Sequence, residues 1–341
     1  MPANYPSLAI VIIHWNKREL LQKFLPSVLQ SSYPNLKIYL ADNGSTDDSI
    51  SWLNQNYPEV NCILLDRNYG YASGYNKALA QVDAEYYILL NNDIEVSGNW
   101  IEPIIEVMQS NPNIAAAQPQ ILQVQNNKIF EYAGASGGFV DYLGYVFCRG
   151  RVFSNLEENT GQYADTVEIF WASGACLFIK SKAFHEAGGF DDNFFAHMEE
   201  VDLCWRLQLL GYKIMAVSSV SVSHQGGATL QRSHPQKTYF NFRNSLIMLL
   251  KNMPARKLWW FIPLRSTLDL MSSIFFLMNA MPQHSWAVHR SHADFFFKFG
   301  RWYKLRKTVQ RKVQEKELKT IYKHSVVFKH FILGKQKYSD M

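Results

Sequence analysis

Residues 8–49, LAIVIIHWNKRELLQKFLPSVLQSSYPNLKIYLADNGSTDDS, contain a strand, a helix and a second strand in the order an α/β sheet requires. Leu8–Ile13 is a short, β-branched apolar run without polar alternation, the pattern of a strand covered on both faces. Leu20, Leu21, Phe24, Leu25, Val28 and Leu29 then recur at helical spacing. Leu36–Ala41 supplies the second strand, and Ser45 followed by Asp48 offers a capping pair for a helix through Ile50 and Leu53. Working outward, Val60–Leu65 reads as a third strand, Gly70–Val82 as a helix opening in a glycine-containing turn, and Tyr86–Leu90 as a fourth strand. The alternation predicts a Rossmann-like, mostly parallel sheet with helices on both faces.

Open α/β sheets bind ligands at the carboxyl ends of their strands. The residues at those ends are His14 and Asn16, Asp42 to Ser45, Asn68 and Gly70, and Asn91, Asn92 and Asp93. Each group taken alone is ordinary turn chemistry. Four consecutive strand ends carrying hydrogen-bonding groups predict a binding rim.

The composition sets outer limits. With 48% hydrophobic and 18% charged residues, the 341-residue chain is globular, not disordered. Cys62, Cys148, Cys176 and Cys204 form no C-x-x-C pair, so buried free thiols and a reducing compartment are expected. The opening MPANYPSLAIVIIHW has no basic leader, and its apolar run is short and β-branched, so a cytoplasmic location is expected. Residues 301–341 carry twelve Lys or Arg against three Asp or Glu, leaving the first 300 slightly acidic. That basic tail is compatible with anionic lipid, nucleic acid or plain solvent. The middle, Asn99–Glu168, is less legible: Ile114–Ala117 reads as a strand and Gly134–Gly150 as hairpins or a loop.

After Ser245 an aromatic and aliphatic segment begins, with Trp259, Trp260, Phe275 and Phe276, interrupted by Arg265 and Asp269. Its longest uncharged piece, Leu270–Met281, falls short of the about 20 residues a membrane span needs. Helices lying on a membrane surface and an ordinary helical subdomain are both open, and the basic tail favours the membrane. The expected units are a catalytic domain over 1–230, an aromatic-rich helical segment over 231–300 and a basic helical tail over 301–341.

Several side chains could carry chemistry. Asp93 ends an apolar strand, where a carboxylate either closes an Asx turn or holds a hard divalent cation that keeps positions open for diphosphate oxygens. Asp42 could accept from a base imide or a ribose hydroxyl, and the turn from Gly70 to Asn76 lets backbone approach a ligand closely. No Walker-type phosphate loop is present. Glu199, Glu200 and Asp202 open a helix predicted over Glu199–Leu210, where the macrodipole alone would favour acids. Asp202 pairs with Arg206 at i,i+4 as scaffold, which leaves a carboxylate for proton abstraction. His224 ends the run Val217–Val222 and is either an ordinary satisfied histidine or a metal or phosphate contact. His289 and His292 lack a third ligand and are read as surface residues.

Together IVIIHWN (10–16), ADNGSTDDS (41–49), NYGYASGYNKAL (68–79), LLNNDIEV (89–96), ASGACLFIKSKAF (172–184), GGFDDNFFAHMEEVDLCWRLQLLGY (188–212) and VSHQGG (222–227) resemble the inverting family-2 glycosyltransferases of the GT-A fold, especially their rhamnosyltransferase-like branch. The resemblance covers about two-thirds of the chain and fades after about residue 250. It implies that Asp42 contacts the nucleotide base, and that His14, Asn16, Gly70, Asn76, Asn91 and Asn92 line the nucleotide site. It implies Asp93, helped by His224, as ligand of Mg or Mn. Trp171, Ser173 and Gly174 would border the sugar or acceptor. Glu200 stands where the family has the Asp base, with Glu199 orienting the acceptor; a longer side chain at that position is a departure. The implied partners are a UDP- or dTDP-linked sugar donor and a saccharide or lipid-linked acceptor in cell-surface polysaccharide synthesis, with no nucleic acid expected. The location implied is cytoplasmic, at the inner face of the membrane. Two competing readings are a sugar-nucleotide pyrophosphorylase, whose glycine-rich basic loop is missing after the first strand, and a non-catalytic nucleotide-sugar-binding protein.

Overall fold

The structure, a computed structural model, describes residues 5–226, 234–315 and 317–341. Its first half alternates as β1 (Leu8–His14), α1 (Arg18–Leu29), β2 (Leu36–Asp42), α2 (Ser49–Asn56), β3 (Asn61–Leu64), α3 (Gly70–Leu79) and β4 (Tyr86–Asn91). The strands lie in the order β3-β2-β1-β4, all parallel. Register puts His14 beside Asp42, and Ile13 beside Asn91. Strand ends that are far apart in sequence therefore reach one edge of the sheet.

Alternation along each strand divides the core. Ile10, Ile12, Ile88 and Leu90 face the α1 and α4 side, while Ala9, Val11, Tyr87 and Leu89 face α3 and the C-terminal helices. The capping role expected of Ser45 is corrected: α2 starts at Ser49 with no side-chain cap. The Ser45 hydroxyl instead accepts from the Asn16 N–H at 2.8 Å, across the rim.

Beyond β4 the chain adds β5 (Ile94–Glu95), α4 (Glu102–Ser110), β6 (Ile114–Gln123), β7 (Gly138–Asp141), β8 (Val146–Cys148), β9 (Arg151–Val152), β10 (Asn155–Leu156), β11 (Val167–Ile169), β12 (Cys176–Lys180), α5 (Ser181–Ala187), α6 (Glu199–Leu209) and β13 (Lys213–His224). The main sheet continues β4-β12-β6-β13-β11, and here it is mixed. Strand β12 runs antiparallel to both β4 and β6, and β13 runs parallel to β6. Between β6 and β12 the chain makes an excursion through β7 to β10, strands of a second small sheet, and then forms β11 at the edge of the main sheet.

The C-terminal part comprises α7 (Pro235–Asn252), α8 (Ala255–Met278), α9 (Pro282–Phe297), α10 (Phe299–Gln310), β14 (Ile321–Tyr322) and α11 (Val326–Phe331). The boundary expected at residue 230 and Gly227 of the last motif lie outside the described residues. The basic tail is helical only in part, because β14 pairs in parallel with β7. All four cysteines are free thiols, and Cys148, Cys176 and Cys204 are buried.

A buried polar network joins α6 to α7. The Asp202 carboxylate accepts from Arg206 Nε at 2.8 Å, Lys251 Nζ at 3.0 Å and Asn252 Nδ2 at 2.9 Å. Lys251 also pairs with Asp191, whose carboxyl burial would push up but which that lysine holds down to about 2. The scaffold role expected for Asp202 thus extends to a second helix.

Helix α8 is amphipathic in the inverted sense. Its buried stripe includes Arg265, Asp269 and Ser273, whereas Trp259, Met271, Ile274 and Met278 are exposed, Met278 by 82%. Arg265 Nε donates to Asp269 Oδ1 at 2.8 Å inside the protein. By length and composition alone, α8 is the one helix among the described residues able to cross a membrane. His292, read from sequence as a surface residue, is buried with Nε2 3.5 Å from Asp269, and exposed His289 bonds Ser273 Oγ at 3.0 Å. Asp269 and Ser273 on the buried face of α8 thus take His292 and His289 of α9.

Removing the Asp202 carboxylate leaves Arg206 and Asn252 buried without their acceptor. Asp202→Ala is expected to destabilise the fold by about 3–5 kcal/mol in chemical denaturation. A loss below about 1 kcal/mol would mean that packing alone holds α6 to α7.

Candidate active site

The carboxyl ends of β1, β2 and β4, the start of α3 and the first turn of α6 open into one cavity of about 1550 Å³. His14, Asn43, Asn68, Gly70, Asn91, Asn92, Asp93, Trp171, Ser173, Gly174, Glu199, Glu200 and His224 all line it. Residues spread over more than 200 positions are thus brought to one wall by strand register and by the α6–α7 network.

On the strand-end side, Asn92 Nδ2 donates to His14 Nδ1 at 2.9 Å. Burial lowers the His14 pKa although Asp42 opposes it, and Nε2 has no hydrogen-bond partner among the described residues. Asn43 fastens the turn before α3, donating to Gly70 O at 2.9 Å and accepting from Tyr69 N–H at 2.9 Å. Gly70 has φ +76°, and a Cβ there would come within 2.4 Å of Phe195 O, so both backbone conformation and space demand glycine.

Two residues expected to line the nucleotide site do other work. Asn16 Oδ1 accepts from Thr46 N–H at 2.8 Å, and Asn16 is absent from the cavity wall. Asn76 donates to Phe190 O at 2.8 Å and accepts from Phe190 N–H at 3.0 Å, again outside the wall. Both amides are consumed in pinning loops. Asp42 also lies outside the wall; its Oδ2 accepts from Ser45 N–H at 3.1 Å, while buried Oδ1 has no partner among the described residues.

Opposite, His224 sits between two carboxylates. Its Nε2 is 3.0 Å from Asp93 Oδ1, and its Nδ1 is 3.1 Å from Glu131 Oε2. Burial alone would lower the imidazole pKa, yet Asp93 and Glu131 hold it up at about 10. Among the described residues no group of three or more His, Cys, Asp or Glu side chains could hold a metal ion. Asp93 and His224 together still fit a divalent cation as a two-donor set that leaves most positions to phosphate and water, once the proton on Nε2 is displaced.

Glu199 and Glu200 begin α6 after His197 and Met198, both at φ 70°. This left-handed entry turns two adjacent carboxyls into the cavity. Each has an Oε2 without a hydrogen-bond partner among the described residues. Burial first, and then the neighbouring Glu200 charge, pushes the Glu199 pKa well up; burial also raises that of Glu200. Buried carboxyls are ordinarily paired, and raised pKa values cluster where protons are transferred.

Trp171 donates its indole N–H to Phe139 O at 3.1 Å, and Ser173 N–H donates to Gln118 Oε1 at 2.8 Å. Gly174 is needed because Tyr71 Oη donates to its carbonyl at 2.6 Å, and a Cβ there would be 2.5 Å from that oxygen. Sequence reasoning missed Glu131, Arg151, His197 and Lys237, all in the wall. Arg151 lies over the Tyr132 ring at 4.4 Å, and burial with Lys237 nearby holds the His197 pKa down at about 3. None of these residues sits at a strand end of the parallel half, where the pattern would have drawn attention to it.

The family model described as Glycosyl transferase family 2 matches residues 9–187, just over half of the chain. An N-acetylglucosaminyl-diphospho-decaprenol L-rhamnosyltransferase of Mycobacterium tuberculosis is 26% identical over 277 residues, 76% of this chain and 89% of the relative. The structure of GalNAc-T7 with UDP, GalNAc and Mn2+ aligns with a TM-score of 0.62 at 15% identity, covering 97% of this chain and 57% of that one. A mannosyltransferase from Pyrobaculum calidifontis, in complex with GDP-Man and Mn2+, aligns with a TM-score of 0.52 at 13% identity, covering 91% of this chain and 87% of that one. These two structures share the fold and were solved with Mn2+. Sheet, rim and matched segment agree: the chain is a glycosyltransferase and belongs to glycosyl transferase family 2.

Proposed function

We propose that the chain transfers a deoxyhexosyl group, with inversion, from a dTDP- or UDP-linked donor to a hydroxyl of a lipid-linked saccharide at the cytoplasmic face of a membrane. The observation that carries this reading is the single cavity shared by the strand-end rim, the Asp93–His224 pair and the Glu199–Glu200 carboxyls. The matched family segment ends at residue 187, so the roles of Glu199, Glu200 and His224 rest on geometry. The Mycobacterium relative supports both the sugar and the lipid-linked acceptor.

The chemistry is one displacement. Glu200 takes the proton of an acceptor hydroxyl, whose oxygen forms a bond to the anomeric carbon as the bond to the donor diphosphate breaks. The electron pair of that bond leaves on the diphosphate. Glu199, whose proton burial helps to retain, orients the acceptor by a hydrogen bond. His14 and the Gly70 turn hold the nucleoside, with Asp42 behind them. A divalent ion on Asp93 and His224 would neutralise the growing diphosphate charge. The apolar outer face of α8 and the basic tail suit an anionic bilayer surface, where an inverted helix hides its exposed side chains.

Glu200→Gln keeps the size and removes the base; kcat is expected to fall by roughly 10²–10⁴-fold while a nucleotide-sugar still raises the melting temperature. Turnover within a few-fold of the parent would remove Glu200 from the role. Activity should rise with pH through an apparent pKa above that of an ordinary glutamate, shared by the coupled pair. The same shift acts on stability. The folded state keeps the Glu199 proton where the unfolded chain has lost it, so the pair costs stability as pH climbs above the usual glutamate range. Glu199→Gln is therefore expected to melt higher than the parent at neutral pH, with the gap closing near pH 4; equal melting at both values would show that the carboxyl is not desolvated. Chelation and Asp93→Asn should each abolish most turnover, and undiminished activity after chelation would remove the metal from the reading.

A further inference from the structure

We infer that the cavity containing Glu200 continues into an apolar groove, walled by α8 and α11, that binds the isoprenoid tail of the acceptor's lipid carrier. This rests on the reading that the acceptor is lipid-linked.

The first ground is continuity. The cavity lined by Asp93, Glu199 and Glu200 is lined without interruption by Leu268, Met271 and Phe275 of α8 and by Phe328, Ile332 and Leu333 at α11. An acceptor whose sugar reaches Glu200 therefore has an apolar wall available to its other end. The second ground is exposure. Met271 is 60% and Ile332 69% accessible, and both line the same cavity. A contiguous apolar surface of this kind on a soluble face marks a binding site. The third ground is charge. Lys323 and Lys329 on the α11 segment contribute to the same wall, Lys329 bonded there to Tyr322 Oη at 2.6 Å. A diphosphate linking sugar to lipid needs cations between a polar and an apolar subsite, and these two lysines come from the segment that supplies Phe328, Ile332 and Leu333.

A bilayer seat alone does not account for the groove. Trp259, Leu277 and Met278 lie on the outer face of α8 and are absent from the cavity wall, so α8 carries two apolar surfaces. The outer one suits a membrane, while the one inside the cavity suits a single chain.

The test compares GlcNAc-diphosphate acceptors ending in a propyl or a farnesyl tail, with dTDP-rhamnose as donor, below micellar concentration and without membranes. The farnesyl acceptor is expected to show a KM lower by at least about tenfold, from burial of its apolar surface. In the double variant Met271→Asp, Phe328→Asp the ratio of the two KM values should collapse toward one. Because those substitutions could unsettle the helices, a diazirine-bearing farnesyl acceptor is also crosslinked to the unaltered protein and the adducts are mapped. Adducts on α8 and α11 that unlabelled farnesyl acceptor suppresses support the groove. Equal KM values for both tails, adducts elsewhere, or labelling suppressed by empty phosphatidylcholine vesicles but not by unlabelled acceptor each overturn it. If neither acceptor is turned over with dTDP- or UDP-sugars while competable adducts still map to α8 and α11, the transfer reading fails and the groove stands.

Discussion

The Asp202 carboxylate, buried and shared by Arg206, Lys251 and Asn252, fixes where everything functional in this protein can be. A carboxylate without water is tolerable only with its charge and lone pairs matched, and the matching groups come from two helices. Helix α6 is thereby locked against α7, and Glu199 and Glu200 in its first turn are carried to the strand-end rim. The same lock draws the C-terminal helices over the cleft. One buried charge thus couples the base-bearing turn to the segment that shapes the acceptor side.

Neighbouring carboxyls in one protein are treated in opposite ways. Asp202 and Asp191 are each paired with Lys251, whereas Glu199 and half-buried Glu200, in the first turn of α6, each keep a buried oxygen without a partner among the described residues. Stability is spent at the second pair. Unmatched carboxyl oxygens facing a cavity are what a site of proton transfer requires. The Asp93–His224–Glu131 row is intermediate, since its positive charge is supplied by the imidazole itself.

Legibility in the sequence followed period and locality. The strands β1 to β4 were readable because apolar β-branched runs and helical repeats are local patterns, and their polar ends follow from the same reading. The amides failed for a related reason. Asn16 and Asn76 occupy rim positions, but an amide equally serves to tie a loop, and its partners Thr46 and Phe190 are set by the tertiary fold. Helix α8 was harder still. Its Arg265 and Asp269 read only as interruptions of an apolar run, but they form an internal pair, and much of the apolar side faces outward.

The sequence alone determined the α/β alternation, the polar strand ends and the acidic start of α6, because each is a pattern within a few positions, and strict alternation of strand and helix implies the parallel half of the sheet. Tertiary structure decided the rest: the antiparallel return of β12, the pairing of β14 with β7, the place of Glu131 beside His224, and the meeting of α8 and α11 in the wall of the catalytic cavity. Those contacts join segments up to about 200 residues apart. Their energies depend on which buried charges and apolar faces find partners once the chain is compact, and no local pattern encodes that choice.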